Sequence, residues 1–225
     1  MRIGIITALA AEARTMPARR GPLLGNHDYT LVVAGPGQVR AERAAAALVA
    51  EGCDALVSWG LAGGLARTHA PGALIVATAV YRDSALALDC DPELQAALYA
   101  RLAPLGASVA PLYSSVDPIG SVAAKAALHA RYGAAAVDLE SAAIATVANA
   151  HGLRFVAVRS LVDPADFDLP PAALAGMTAD GRTRPLATLT RILIHPQELP
   201  PLLQLARWYH RALRALAAGA AALCR

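Results

Sequence analysis

Only 16% of the 225 residues are charged and only 4% are aromatic. With so little charge and 56% of the chain hydrophobic, disorder is excluded and a large core is expected. The net charge is +3 and the basic residues are scattered, so the chain carries no electrostatic footprint for nucleic acid. Cys53, Cys90 and Cys224 are odd in number and lack metal-ligand spacing. They read as free thiols of a reducing compartment, with no metal site expected. No apolar run has transmembrane length, so a cytoplasmic protein is expected. Arg2 followed by an apolar stretch and Ala8-Leu9-Ala10 imitates a short signal peptide, but Ile3-Gly4-Ile5-Ile6 reads better as a buried first strand. The turn after it is not Gly-x-Gly-x-x-Gly, which removes the main signature of a dinucleotide fold. No internal repeat is present.

What is present is alternation. Apolar, β-branched runs at 2–7, 29–34, 54–59, 73–80, 107–113, 134–138 and 153–160 read as strands. Alanine-rich runs at 39–51, 121–131 and 139–151 read as helices, with another after Asp91-Pro92. Asp91 and Ser121 are the expected N-caps, and Pro92 suits a first helical position. Strands alternating with helices imply an α/β fold: a three-layer sandwich with a central mixed, mostly parallel twisted sheet flanked by helices. Beyond residue 163 prolines punctuate the chain, 176–184 reads as an exposed polar loop, and helices are expected at about 185–194 and 201–220. Neither half has a complete strand set of its own, so one domain over 1–225 is expected.

Three segments end an apolar run on an acid, or place one just beyond it: Ile3 to Glu12, Val137-Asp138-Leu139-Glu140, and Val158-Arg159-Ser160-Leu161-Val162-Asp163. In an open α/β sheet, ligands bind at strand ends. Three carboxylates and an arginine converging there have the composition needed to cleave a glycosidic bond. Each has a plainer alternative. Glu12 also suits a solvated first-turn glutamate favoured by the helix dipole. Glu140 is either a dipole partner or an acceptor for vicinal ribose hydroxyls. Asp163 is either a turn residue beside Pro164 or a buried general acid with a raised pKa. Arg159, inside an apolar strand, needs a carboxylate partner, with Glu12 or another carboxylate across the cleft the natural candidate. The Gly60-Leu61-Ala62-Gly63-Gly64 run is either a tight turn or a backbone that a ligand approaches closely.

Taken together, these segments, with Gly35-x-Gly37 and Ser141-Ala142-Ala143-Ile144-Ala145, follow the order seen in the purine nucleoside phosphorylase and nucleosidase superfamily. The resemblance covers about residues 1–165 and is strongest to the branch that includes methylthioadenosine/adenosylhomocysteine nucleosidase. It implies that Asp163 protonates the leaving purine and that Glu140 accepts ribose hydroxyls, with Leu139 under the sugar. It implies that Glu12 activates the attacking water with Arg159 beside it. Leu61, Ala62 and Gly63 would line the ribose and base, and the segment ending at Ile119 would touch the base. Such a reaction develops oxocarbenium character and needs an acid and a base, but no cofactor. Inorganic phosphate enters only if the enzyme is a phosphorylase, in which case Arg40 and Arg67 are candidate anion contacts.

Leu61 and Val162 stand where the nucleosidases commonly carry a hydroxyl residue and a serine. Farther on, Leu169-Pro170-Pro171-Ala172-Ala173-Leu174, Asp180-Gly181-Arg182 and Pro196-x-x-Leu199-Pro200-x-Leu202 resemble hopanoid-biosynthesis-associated members. Those are associated with release of adenine from adenosylhopane, a nucleoside with a large apolar 5′ group. The last helix places Leu202, Leu205, Tyr209, Leu213 and Leu216 on one face and Arg207, Arg211 and Arg214 on another. It reads as a helix packed on its own domain, with contact to an anionic membrane surface as the alternative. Homo-oligomers are common in the family and are expected here. A non-catalytic nucleoside-binding protein is the reading from a different class.

Overall fold

The computed structural model describes residues 1–83, 87–175 and 194–224. Among the described residues nine strands form one mixed sheet: β1 (Arg2–Thr7), β2 (Arg20–Leu23), β3 (His27–Val33), β4 (Ala55–Gly64), β5 (Leu74–Tyr81), β6 (Leu88–Asp89), β7 (Ser108–Ser114), β8 (Ala136–Asp138) and β9 (Arg154–Asp163). The described helices are α1 (Ala10–Ala13), α2 (Gln38–Ala50), α3 (Pro92–Leu102), α4 (Val122–Tyr132), α5 (Ser141–Ala150), α6 (Pro171–Ala175) and α7 (Leu199–Leu223).

The order is β2-β3-β1-β4-β8-β7-β5-β6, with β9 pairing both β4 and β5. The expected α/β fold is present, but the sheet is not open. β4, β9, β5, β7 and β8 pair in a ring, because β4 runs beside β9 along its length and then meets β8 at Gly63 and Gly64. A bulge between Ala62 and Gly63 accompanies this change of partner, a usual device for bending a strand. The glycine run expected as a turn or loop is therefore strand, pairing with β9 as far as Gly63 and with β8 at Gly63 and Gly64.

Burial explains the strands. Ile3, Ile5, Leu56, Ile75, Phe155 and Trp59 are almost fully buried, as period-independent apolar runs covered on both faces must be. Helices α2 and α5 pack together and cover β1 and β4, while α3 and α7 cover β5 and β9. The expected caps form: Asp91 Oδ1 accepts from Leu94 N at 2.8 Å and Ser121 Oγ from Ala124 N at 3.2 Å. Helix α7 is longer than expected and buries Ala212, Leu216, Ala220 and Leu223. Leu202, Leu205, Tyr209 and Leu213 are half-buried, while Arg207, Arg211 and Arg214 are exposed. The expected loop at 176–184 lies outside the described residues, as does the expected helix at 185–194 except for Ile194. Strands β2 and β6, short edge pieces without apolar alternation, were not legible in the sequence.

Candidate active site

The parallel strands β1, β3 and β4 all run toward one end of the sheet, and β9 runs parallel to β4. At that end a small cavity is lined by Ala8, Glu12, Ala34, Ser58, Gly60, Glu140, Ile144 and Arg159, among others. A larger open groove lies at the opposite strand ends, around Arg2, Asp28 and Asp54, away from these groups.

Glu12 is buried, with only 3% of its surface exposed, which excludes the solvated first-turn alternative. Its Oε2 accepts from Ala8 N at 2.9 Å and Leu9 N at 2.7 Å, and its Oε1 from Leu61 N at 2.9 Å. A carboxylate offers about four lone-pair sites, so one remains for a water molecule. Burial raises the Glu12 pKa, opposed by these N–H donors and by the Arg159 charge. Gly60 makes the arrangement fit: a Cβ there would lie 2.6 Å from Glu12 Oε1.

Glu140 Oε1 accepts from Gly37 N at 2.9 Å, which ties the N-terminus of α5 to the loop before α2. Burial, and next the neighbouring Asp138 carboxylate, push its pKa up to about 7. Leu139 beside it is half-buried.

The partner of Arg159 is Asp138, not Glu12. Arg159 Nε donates to Asp138 Oδ2 at 2.7 Å, and its Nη2 to Ser58 Oγ at 2.6 Å and Ser141 Oγ at 2.9 Å. Glu12 feels the guanidinium as a charge without an ion pair to it. Asp138 also accepts from Ser141 N at 3.1 Å and from the Ser141 hydroxyl, so it caps α5 while holding Arg159. Among the described residues this is one of two ion pairs whose partners are both nearly fully buried.

Asp163 forms the other. Lys125, on α4 and fully buried, donates from Nζ to Asp163 Oδ2 at 2.5 Å. Burial raises the Asp163 pKa, and the Lys125 charge opposes that. A Cβ at Gly63 would stand 3.3 Å from Asp163 Oδ1, and one at Gly64 would stand 2.8 Å from its carbonyl oxygen. The glycines thus let β9 end against β4.

Sequence reasoning missed Lys125. It sits in an alanine-rich helix where a lone cation suggests a solvated face. The available signal was that it is the chain's only lysine.

Of the remaining predicted groups, Leu61 and Gly63 are partly buried and Ala62 is buried along β4. Ile119 packs beside Leu65, Tyr113 and Val137. Over it lies the proline-rich segment: Leu169 N donates to Gly120 O at 2.7 Å, and Leu174 Cδ1 comes within 3.0 Å of where a Gly120 Cβ would stand. Arg40 folds back against Gly35 rather than lining the cavity. Arg67 is exposed. Among the described residues, no cluster of three or more His, Cys, Asp or Glu has the arrangement of a metal site. No described helix is long and apolar enough to cross a membrane.

A mixed, partly closed sheet flanked by helices, with carboxylates at its strand ends, is the frame of an α/β enzyme. The chain belongs to the phosphorylase superfamily, whose sequence model matches residues 7–193. No curated protein matches it. Among solved structures it is similar to the 5′-methylthioadenosine/S-adenosylhomocysteine nucleosidase of Helicobacter pylori in complex with butyl-thio-DADMe-Immucillin-A (TM-score 0.65, 21% identity, 74% of this chain and 86% of that one). It is similar to the futalosine hydrolase of the same organism (TM-score 0.64, 20% identity, 74% and 86% covered). It is also similar to the S-adenosylhomocysteine nucleosidase of Streptococcus pyogenes (TM-score 0.64, 22% identity, 91% and 95% covered). At these identities the likeness establishes the fold.

Proposed function

We propose that the protein is a nucleosidase that hydrolyses the N-ribosidic bond of a 5′-substituted adenosine. One observation carries the choice of water over phosphate. The three backbone N–H groups after β1 and at Leu61, which an oxyanion would need, already point at the Glu12 carboxylate. A phosphate entering there would meet an acceptor of its own sign.

The chemistry follows from the groups present. Asp163 gives its proton to purine N7 as the C1′–N9 bond breaks and its electron pair passes to the base. Water adds to the cationic C1′ and loses its proton to Glu12. Glu140, ionised above about pH 7, accepts the ribose hydroxyls. Arg159 does not touch the reacting atoms in this scheme. It holds Asp138 and two serines, and its charge favours the ionised form of Glu12.

For the 5′ substituent we favour the apolar group of adenosylhopane. The resemblance of the segment 169–174 supports this, and so does its placement, with Leu169 and Leu174 packed over Gly120 beside Ile119. The exposed face of α7 carries Leu199 and Leu203 with Arg207, Arg211 and Arg214, a composition suited to peripheral contact with an anionic lipid surface. Exposed Val39 and Val116 are joined through the Gln38–Ser115 hydrogen bond and suit contact with a second copy of the chain.

Adenine release from adenosylhopane and from methylthioadenosine, each with and without phosphate, tests the reading. Phosphate-independent release favouring adenosylhopane supports all of it. Release from methylthioadenosine alone keeps the chemistry and discards the lipid. Strict phosphate dependence gives the phosphorylase. Binding without any release gives a non-catalytic nucleoside-binding protein.

A further inference from the structure

Lys125 is the only lysine in the chain; every other fixed cation is arginine. It is fully buried at the end of the first turn of α4, where a solvated cation would be expected. An ammonium has three protons, and three acceptors surround this one: Asp163 Oδ2 at 2.5 Å, Phe167 O at 2.7 Å and Pro164 O at 3.0 Å. A lone lysine kept in such a site faces a large desolvation cost. An apolar side chain would fill the volume without that cost, so packing alone does not account for it.

We propose that Lys125 is the positioning residue of the acid Asp163, fixing the carboxyl against the end of β4 and stabilising the carboxylate left after its proton has gone to the base. The proposal rests on the reading of Asp163 as the group that protonates the leaving purine. Val162, preceding Asp163, has no hydroxyl to offer, and Lys125 supplies the charge-assisted donor from the neighbouring helix. The same ammonium binds the turn through Pro164 and Phe167, and Phe167 packs edge-on against Trp208 of α7 with ring centroids 4.9 Å apart. The acid and the C-terminal helix are therefore held by one side chain.

The groups facing Asp163 make the electrostatics simple. β4 presents Gly63 and Gly64 and β8 presents Val137. The following turn carries Asp166 and Asp168, both exposed. Of the described charges, Lys125 is the one whose field acts on Asp163, and it opposes the effect of burial. Removing it makes Asp163 hold its proton to higher pH and give it up less readily.

The test is a set of pH–rate profiles for adenine release from adenosylhopane or methylthioadenosine, whichever turns over. They are measured on the wild type, K125Q, K125M, D163N and K125M/D163N. K125Q retains a donor for the two carbonyls while losing the charge. K125M/D163N removes both charges, so neither is left buried alone. The expected result is a kcat lower by about tenfold or more in K125Q, with KM little changed and the alkaline limb moved to higher pH. D163N and the double variant are expected to have equal kcat, because the effect of Lys125 on the chemical step passes through the Asp163 carboxyl. K125R, measured alongside them, is expected to restore the wild-type limb at least in part. An unmoved alkaline limb in K125Q overturns the proposal, as does a further loss of kcat on adding K125M to D163N. Full turnover by D163N instead sinks the underlying reading of Asp163, a separate outcome.

Discussion

Arg159 and Asp138 meet at 2.7 Å in a site where the arginine is 2% exposed and the aspartate 5%. The pair joins β9 to the last residue of β8 and, through Ser58 and Ser141, to β4 and α5. Breaking such a pair from one side leaves a buried charge alone. R159M is therefore expected to lose about 3–5 kcal/mol of stability. R159K does not rescue it, because one ammonium cannot reproduce the guanidinium's forked donors. Urea unfolding of both variants measures this; a change below about 1 kcal/mol for R159M contradicts the pairing as described.

Gly60 leaves no space beside Glu12. G60A puts a Cβ 2.6 Å from Glu12 Oε1, so the carboxylate must shift off its N–H donors. The expected outcome is a fall in kcat of about a hundredfold or more, with a stability loss of about 1–3 kcal/mol. Steady-state kinetics with a thermal melt separates the two effects. Near-normal kcat places the attacking water elsewhere.

E12Q keeps the shape of the side chain but turns one oxygen into an NH2 facing N–H donors. Turnover is expected to fall about 10²–10⁴-fold, with stability lowered as well. Preserved turnover rules out Glu12 as the base.

These sites show how far the sequence could be read. The first strand, the caps Asp91 and Ser121, and the gathering of Glu12 with Glu140 and Arg159 followed from apolar runs and from acids at their ends. The glycine run at 60–64 did not read as strand, because glycine is weak in strands unless neighbours pair it, and here β8 and β9 do so. The partner of Arg159 was ambiguous for a different reason. Several carboxylates lie at strand ends around it, and only the close of β8 shows that Asp138 is the one that meets the guanidinium. Lys125 lies 38 residues before Asp163, and no local pattern joins them.

Glu140 links the site to stability. Its folded pKa is about 7 against an ordinary 4.5. Between those values the folded state binds more protons than the unfolded chain, so stability falls as pH rises through that window and is level above it. E140Q has no such charge to bury. It is expected to match the wild type near pH ~5 and to exceed it at about pH 8 by at most about 3 kcal/mol. Denaturant melts at the two pH values measure the difference; an equal gap at both removes Glu140 as the source. Substrate binding by E140Q is expected to weaken, because an amide accepts ribose hydroxyls less well than a carboxylate.

The most direct test of the account is the fate of the ribose C1′. A single turnover of adenosylhopane or methylthioadenosine in isotopically labelled water, with and without inorganic phosphate, is followed by mass analysis of the ribosyl product. Water held by Glu12 as nucleophile predicts a free ribosyl product carrying the label, formed at the same rate in both conditions. A ribosyl 1-phosphate, formed only when phosphate is present, would contradict the central claim.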